Sequence, residues 1–242
     1  MGKQKKKNAN AVSTKKKKSS SPVWLFWTIG ILTIGLIVFM FSGMLDKDSS
    51  NTAISYTNQP YLGKEEAPVN IIEFGDYKCP ICKDFNESFF PLIDQELIQT
   101  GKVKFYFLNY PFINVDSERS ALFGETVYKE LGNDTFWKFH KLLYEKQPED
   151  QSLERKDIFT EKFLLETLGE TTTEENVKKV SGQLENNESE EAVETDEALV
   201  SDLGVTGTPT LFVNGKKFEG SSIEDLKMMV DEAEKEVNKG DK

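Results

Sequence analysis

Between Val23 and Leu45 the chain reads VWLFWTIGILTIGLIVFMFSGML, 23 residues without a charge. As a helix this stretch is about 35 Å long, enough to cross a hydrocarbon core of about 30 Å, so it reads as a membrane span. The alternative is a cleaved signal peptide, whose apolar region is shorter and closes on a small-x-small site. The FSGML ending fits that poorly and offers no cysteine to lipidate, so we read an uncleaved transmembrane anchor over residues 23–45. Lys3, Lys5, Lys6, Lys7 and Lys15 to Lys18 crowd the tail before it, residues 1–22. Basic flanks stay on the cytoplasmic side, and everything after Asp46 is therefore expected outside.

Charge divides the chain at the same point. Eight lysines and no acid precede Asp46, and the remainder carries 22 basic against 41 acidic groups. Such a body repels nucleic acid, which excludes that class of partner. With 38% apolar and 11% aromatic residues there is enough material for a sizeable core.

The two cysteines, Cys79 and Cys82, fall in the run KCPIC. Outside the cytoplasm they can form a lasting disulfide, either a structural staple or a reactive site. Loop-closure entropy grows with loop length, so a staple across two residues stabilises little and the spacing argues for chemistry. Zinc sites share the CxxC pattern but need four ligands, and His140 is the one histidine; no metal and no cofactor are expected.

Periodicity places the pair. Residues 46–60, DKDSSNTAISYTNQP, are polar and aperiodic and read as a linker. VNIIEFGDY suits a buried strand, and beyond the cysteines Phe85, Phe89, Leu92, Ile93 and Leu97 recur with helical spacing. Pro91 should kink that helix. VKFYFLNY predicts a second strand. From Ser117 to Leu203 the pattern is helical: Gly132 closes one helix, Asp134 caps the next, Thr160 caps a third, and Thr172 with Glu175 has capping-box spacing. TPTLFV, an Asn214-Gly215 turn and KKFEG give a hairpin signal, followed by a helix from about Ser222 to Val237. The order is β-α-β, a helical block, then β-β-α.

With Cys79 as N-cap and Pro80 at the first helical position, the sulfurs stand at i and i+3 on the first turn, near the separation a disulfide needs. Free N–H groups and the positive helix end favour a thiolate on Cys79. Cys82, one turn inside, is less accessible. Attack is therefore assigned to Cys79 and resolution to Cys82.

IIEFGDYKCPICKDF, followed far downstream by GVTGTPTLFVNG, resembles the DsbA group of thiol-disulfide oxidoreductases over residues 61 to 240, and specifically their membrane-anchored form in Gram-positive bacteria. The resemblance implies an α/β, thioredoxin-like fold with an inserted helical domain: a first part over 61–114, the insertion over 115–203 and a second part over 204–242. It implies that Thr208 and Pro209 form a cis-proline loop that faces the cysteines and pairs with substrate backbone. It further implies that Glu73, six residues before Cys79, is a buried acid aiding proton transfer; the alternative is a solvated strand end. Lys104 stands one residue out of register for a partner to that acid. Ile81 departs from the family, whose best-known members carry histidine there; a cation would stabilise the thiolate and isoleucine cannot. Pro80 and Ile81 are thus the positions expected to tune the redox potential.

The expected function is an extracytoplasmic oxidase that inserts disulfides into reduced secreted or cell-surface proteins. The resemblance adds a membrane quinone-linked thiol oxidase that re-oxidises it. A disulfide reductase or isomerase of the same fold, and a non-enzymatic surface module with a structural disulfide, are the alternatives. Among remaining features, His140 shares a helix face with Phe136 and Leu143 and reads as packing, as do Trp137 and Phe139. Glu185 to Glu197, seven acids without a base, reads as a solvated helical face, with a calcium site as the alternative.

Overall fold

The computed structural model describes residues 54–184 and 187–240. The anchor expected over 23–45 lies outside them, and among the described residues no helix is long and apolar enough to cross a membrane.

Strand β1 (Tyr61–Leu62) pairs antiparallel with β3 (Val103–Asn109), which runs parallel to the central β2 (Val69–Gly75). On the other side of β2 lie β4 (Thr210–Val213) and then β5 (Lys216–Lys217), both pairings antiparallel, giving the order β1-β3-β2-β4-β5. Side chains alternate across the sheet, so Ile71, Phe105 and Phe107 enter one core while Ile72, Phe74, Tyr106 and Leu108 enter another. Coverage on both faces explains why β2 and β3 are nearly unbroken apolar runs.

From β2 the chain passes through residues 76–79 into a helical run, α1, residues 80–98. Pro91 has no N–H to donate, and the expected kink takes the form of two π turns, Phe85–Phe89 and Asp94–Ile98, on either side of it. Between β3 and β4 come α2 (Val115–Leu131), α3 (Asn133–Glu145), α4 (Glu161–Gly169), α5 (Glu174–Ser181) and α6 (Asn187–Asp202). Phe136, Phe139, Leu143 and Tyr144 of α3 share a core with both cysteines, so α3 backs the turn that carries them. Leu199 and Val200 of α6 pack on the opposite face, and α7 (Ile223–Gly240) closes the cysteine face through Leu226 and Val230. The Asn214-Gly215 turn has φ of 45° and 82°, the left-handed pair that a two-residue hairpin demands.

Several local expectations shift. Thr173, not Thr172, caps α5, accepting the Asn176 N–H at 3.4 Å. Asp134 lies inside the first turn of α3 because Gly132, at φ 81°, is the turning residue. From residue 54 the segment read as a linker lies on the domain: the Tyr56 ring sits 4.6 Å from Tyr106, and buried Gln59 donates to Asp196 at 2.8 Å. The acids of α6 also divide. Glu190, Glu191, Glu194 and Glu197 are exposed, whereas Asp196 is fully buried and shares Asn109 with buried Glu125. Burial pushes Glu125 up to about 8 and Asp196 to about 7. Among the described residues no three ligating side chains gather to hold a metal ion.

Candidate active site

Cys79 is the N-cap of α1, in extended conformation, and Pro80 follows at the first helical position. Pro80 lacks an N–H of its own, so the first free donors are those of Ile81 and Cys82, one turn from the Cys79 sulfur. Both cysteines are thiols here. Cys79 keeps 5% of its surface and Cys82 none, the order that the i, i+3 placement requires.

The two thiols are unequal. A hydrogen bond from Cys82, opposed by burial and aided by Thr208 and the N–H groups of Cys82 and Ile81, lowers Cys79 to about 6. Burial raises Cys82 well above the usual thiol range, with further pushes from Cys79 and the Glu73 charge. Near neutral pH the pair is therefore a thiolate outside and a thiol inside. The Thr208-Pro209 peptide is cis, and the Cys79 thiol reaches the Thr208 carbonyl oxygen at 3.4 Å. Ile81, 64% exposed, brings no charge to the sulfur.

Glu73 is fully buried on β2, between Phe107 of β3 and Leu211 of β4, which removes the solvated-strand reading. Among the described residues neither carboxyl oxygen has a hydrogen-bond partner. Burial, with a smaller push from the Cys79 charge, holds this carboxyl well above the ordinary range. Lys104 is not its partner: it stands opposite Asn70, and its ammonium lies 6.0 Å over the Tyr61 ring.

Other side chains fix the turn. Asp76 accepts the Lys78 N–H at 2.8 Å and those of Phe112 and Ile113 at 3.1 Å, tying residues 76–79 to the chain beyond β3. Lys78, buried beside Cys79 in the chain, pairs with Asp116 at 3.0 Å and donates to the carbonyls of Leu153 and Lys156. Gln147 donates to the carbonyls of Tyr77 and Cys79 at 2.8 and 3.2 Å, while Lys83 holds the Gln147 carbonyl at 2.8 Å. The Asp76 contact has a signal in sequence, since an aspartate two residues before an N–H it can accept is an Asx turn. The Lys78–Asp116 pair and the contacts of Gln147 have none, being separated by 38 residues and by 64 or more.

His140 packs among Phe107, Phe136 and Tyr144 as expected, yet both its nitrogens are engaged. Asn86 donates its amide N–H to the Cys82 carbonyl at 3.1 Å, leaving its oxygen for His140 Nε2 at 3.2 Å. Nε2 must then carry the proton, and Nδ1 accepts the Tyr77 hydroxyl at 3.0 Å. Burial lowers His140 to about 3, so the ring stays neutral.

Comparisons with known proteins agree with this geometry. The thioredoxin family model matches residues 55–232. Disulfide bond formation protein D of Bacillus subtilis is 40% identical over 162 residues, 67% of this chain and 70% of its own. A probable disulfide bond formation protein D of Bacillus anthracis is 35% identical over 201 residues, covering 83% and 89%. Oxidised BdbD from Bacillus subtilis superposes with a TM-score of 0.68 at 36% identity, covering 75% of this chain and 95% of that one. The thiol-disulfide exchange protein alpha-DsbA2 from Wolbachia pipientis does so with a TM-score of 0.60 at 26% identity, covering 73% and 87%. A cysteine pair split into thiolate and thiol at a helix start, carried on this sheet, and relatives of this kind lead to one assignment: the chain belongs to the DsbA-like thiol-disulfide oxidoreductases of the thioredoxin superfamily.

Proposed function

We propose that this enzyme is a membrane-anchored oxidase that forms disulfides in reduced secreted or cell-surface proteins. The observation that carries the direction is the asymmetry of the pair, with Cys79 lowered to about 6 and Cys82 raised. A stable Cys79 thiolate is a good leaving group and stabilises the reduced protein, which makes the oxidised protein an oxidant. In the reaction a substrate thiolate attacks Cys79 of the disulfide; the Cys79–Cys82 bond breaks, and Cys82 leaves as a thiolate that takes a proton, on this reading from Glu73. A second substrate thiolate then attacks the substrate sulfur of the mixed disulfide and displaces Cys79. The substrate loses two electrons and the enzyme gains them. The Thr208-Pro209 segment, beside the Cys79 sulfur, is the surface on which substrate backbone would pair. A quinone-linked membrane thiol oxidase is the partner proposed to restore the disulfide.

Ile81 supports a second direction, reductase or isomerase. Its exposed, uncharged side chain leaves Cys79 at about 6, between the roughly 7 of thioredoxin and roughly 3.5 of DsbA. The redox potential separates the two readings, and it is expected between about −270 and −120 mV.

Paired thermal melts across pH test the same asymmetry. A thiolate whose folded value of about 6 lies below the unfolded value of about 8.5 adds stability that is complete above the unfolded value and lost as pH falls through the folded one. The ceiling is about 3 kcal/mol, and solvent screening at the helix N-terminus reduces it to about 1–2. The stabilisation from closing the short disulfide loop does not change with pH over this range, so the trend reports the ionisations of the site. From pH 5 to 8 the reduced domain should gain roughly 3–6 °C on the oxidised one. An oxidised form that gains instead would reject the oxidase reading.

Topology is tested separately. The basic flank and the uncharged span of residues 23–45 motivate an N-terminus inside the cell. Protease added to intact cells should digest the domain and spare the lysine tail. A protected domain would place the chemistry in the cytoplasm and end the secreted-substrate reading.

A further inference from the structure

Proline at the first helical position leaves the Cys79-Pro80 peptide without an N–H, so the protein can hold this peptide plane by one atom, the Cys79 carbonyl oxygen. The orientation of that plane matters. Cys79 stands just outside α1 at ψ 117°, and rotation about this bond swings its sulfur relative to the N–H groups of the first turn.

Gln147 supplies the hold. Its side-chain amide donates to the Cys79 carbonyl at 3.2 Å and to the Tyr77 carbonyl at 2.8 Å, joining two peptides of the active-site turn. The Tyr77-Lys78 peptide is gripped at both ends, because Asp76 accepts its N–H at 2.8 Å; the Cys79-Pro80 peptide has its carbonyl alone. Gln147 is itself fixed, with its N–H on the Tyr144 carbonyl at 3.0 Å and its carbonyl on the Lys83 ammonium at 2.8 Å. Lys83 belongs to the first turn of α1, so Gln147 and the start of that helix hold each other from both sides.

Hydrogen-bond satisfaction does not explain the glutamine. The Cys79 carbonyl already accepts the Lys83 N–H at 3.2 Å, the first bond of α1. The Gln147 side-chain oxygen is buried and, among the described residues, has no partner, a cost that an apolar side chain would avoid. The use of this buried amide therefore lies in its N–H groups, and both point at the turn that carries Cys79.

We propose that Gln147 is a positioning residue for the nucleophile: by holding the Tyr77 and Cys79 carbonyls on one amide it fixes the Cys79 backbone, and so keeps the sulfur against the free N–H groups of Ile81 and Cys82. This rests on the reading of Cys79 as the attacking sulfur. Without that hold the N-cap residue turns, the thiolate loses N–H donors, and the reduced protein loses stability that makes its disulfide an oxidant. The titratable groups facing Cys79 are Cys82 and Glu73, and neither hydrogen-bonds Gln147. The flanking cations are committed elsewhere, Lys78 to Asp116 and Lys83 to Glu149.

The test titrates the Cys79 thiolate of the reduced full-length chain by ultraviolet absorbance and measures the redox potential against glutathione at pH 8. Gln147→Met keeps the length of the side chain and removes the amide. Its thiolate should titrate at about 7 instead of about 6, an acid constant about tenfold weaker. The reduced form should lose about tenfold against the disulfide, a potential lower by about 30 mV. Gln147→Asn, whose amide is one methylene too short to span both carbonyls, should move both readings the same way. Asp116→Ala loosens the segment beyond Gln147 at Ile158 and Phe159 without touching the Cys79 carbonyl, and should leave the thiolate near 6. Gln147 variants that both titrate as the wild type does overturn the proposal, whatever their melting points. An equal shift in Asp116→Ala also overturns it, since that marks a general loosening of the turn. A wild-type Cys79 that titrates near the ordinary value of about 8.5 refutes the reading of this sulfur itself, and the proposal with it.

Discussion

Cells producing the Cys82→Ser protein are expected to accumulate mixed disulfides through Cys79, visible as a ladder on non-reducing gels, whereas Cys79→Ser should accumulate few. At pH 7 a thiol lowered to about 6 is mostly thiolate, and the thiolate is the nucleophile. Cys82 has neither property: it is without exposed surface and is held protonated by burial. Loss of Cys79 should therefore cut exchange at least ~100-fold, while loss of Cys82 leaves the first step intact and removes the internal escape. Replacement chemistry sharpens the expectation. The largest influence lowering Cys79 is the hydrogen bond from Cys82, which a serine hydroxyl can replace and an alanine cannot. The Cys79 thiolate, read by its ultraviolet absorbance, should titrate higher in Cys82→Ala than in Cys82→Ser. Equal ladders from Cys79→Ser and Cys82→Ser would overturn the roles assigned to the two sulfurs.

What the sequence made legible was local. The turn at Cys79 and Pro80 followed from N-cap preferences, and the hairpin at Asn214 and Gly215 from a dipeptide that tolerates positive φ. The hydrophobic period likewise found β2 and β3, because a strand buried on both faces leaves an unbroken apolar run. What escaped was set by distant partners. Strand β1 has two residues and exists because β3 offers it an edge. Ile54 to Gln59 look like linker by composition but are held by Tyr106 and Asp196, neither of which the local pattern reveals. Asp196 sits in an acidic run like its neighbours and differs from them only because Gln59 and Asn109 meet it in the interior. The same limit applies at the site. Glu73 resolves as buried once β3 and β4 flank it, and Tyr144 meets the strand at Gly75 only when α3 packs on the sheet.

Asp116→Ala should destabilise the domain by about 3–5 kcal/mol, the range for removing one partner of a buried ion pair. Asp116 has no exposed surface, and one oxygen takes the Lys78 ammonium at 3.0 Å together with the N–H groups of Ile158 and Phe159 at 2.8 and 3.0 Å. Its loss leaves a buried lysine whose remaining contacts are the carbonyls of Leu153 and Lys156 and the face of Phe159, 4.7 Å from the ammonium, and it orphans two N–H groups. At roughly 2–4 °C per kcal/mol the melting point should fall by about 10 °C. Adding Lys78→Met removes the stranded charge, so the double variant should recover part of the loss. The effect should also fade in acid. Burial alone would raise the Asp116 carboxyl, but the N–H groups of Phe159 and Ile158 and the Lys78 ammonium more than offset it and hold it below its ordinary value. A depressed carboxylate contributes stability that is complete above the unfolded value of about 3.9 and lost as pH falls through the folded one, so the wild-type advantage should narrow below about pH 4. Lys78 is not among the groups that lower Cys79, and the thiolate of the folded variant should still titrate near 6. A double variant no more stable than Asp116→Ala would show that the stranded lysine charge is not what the loss of Asp116 exposes.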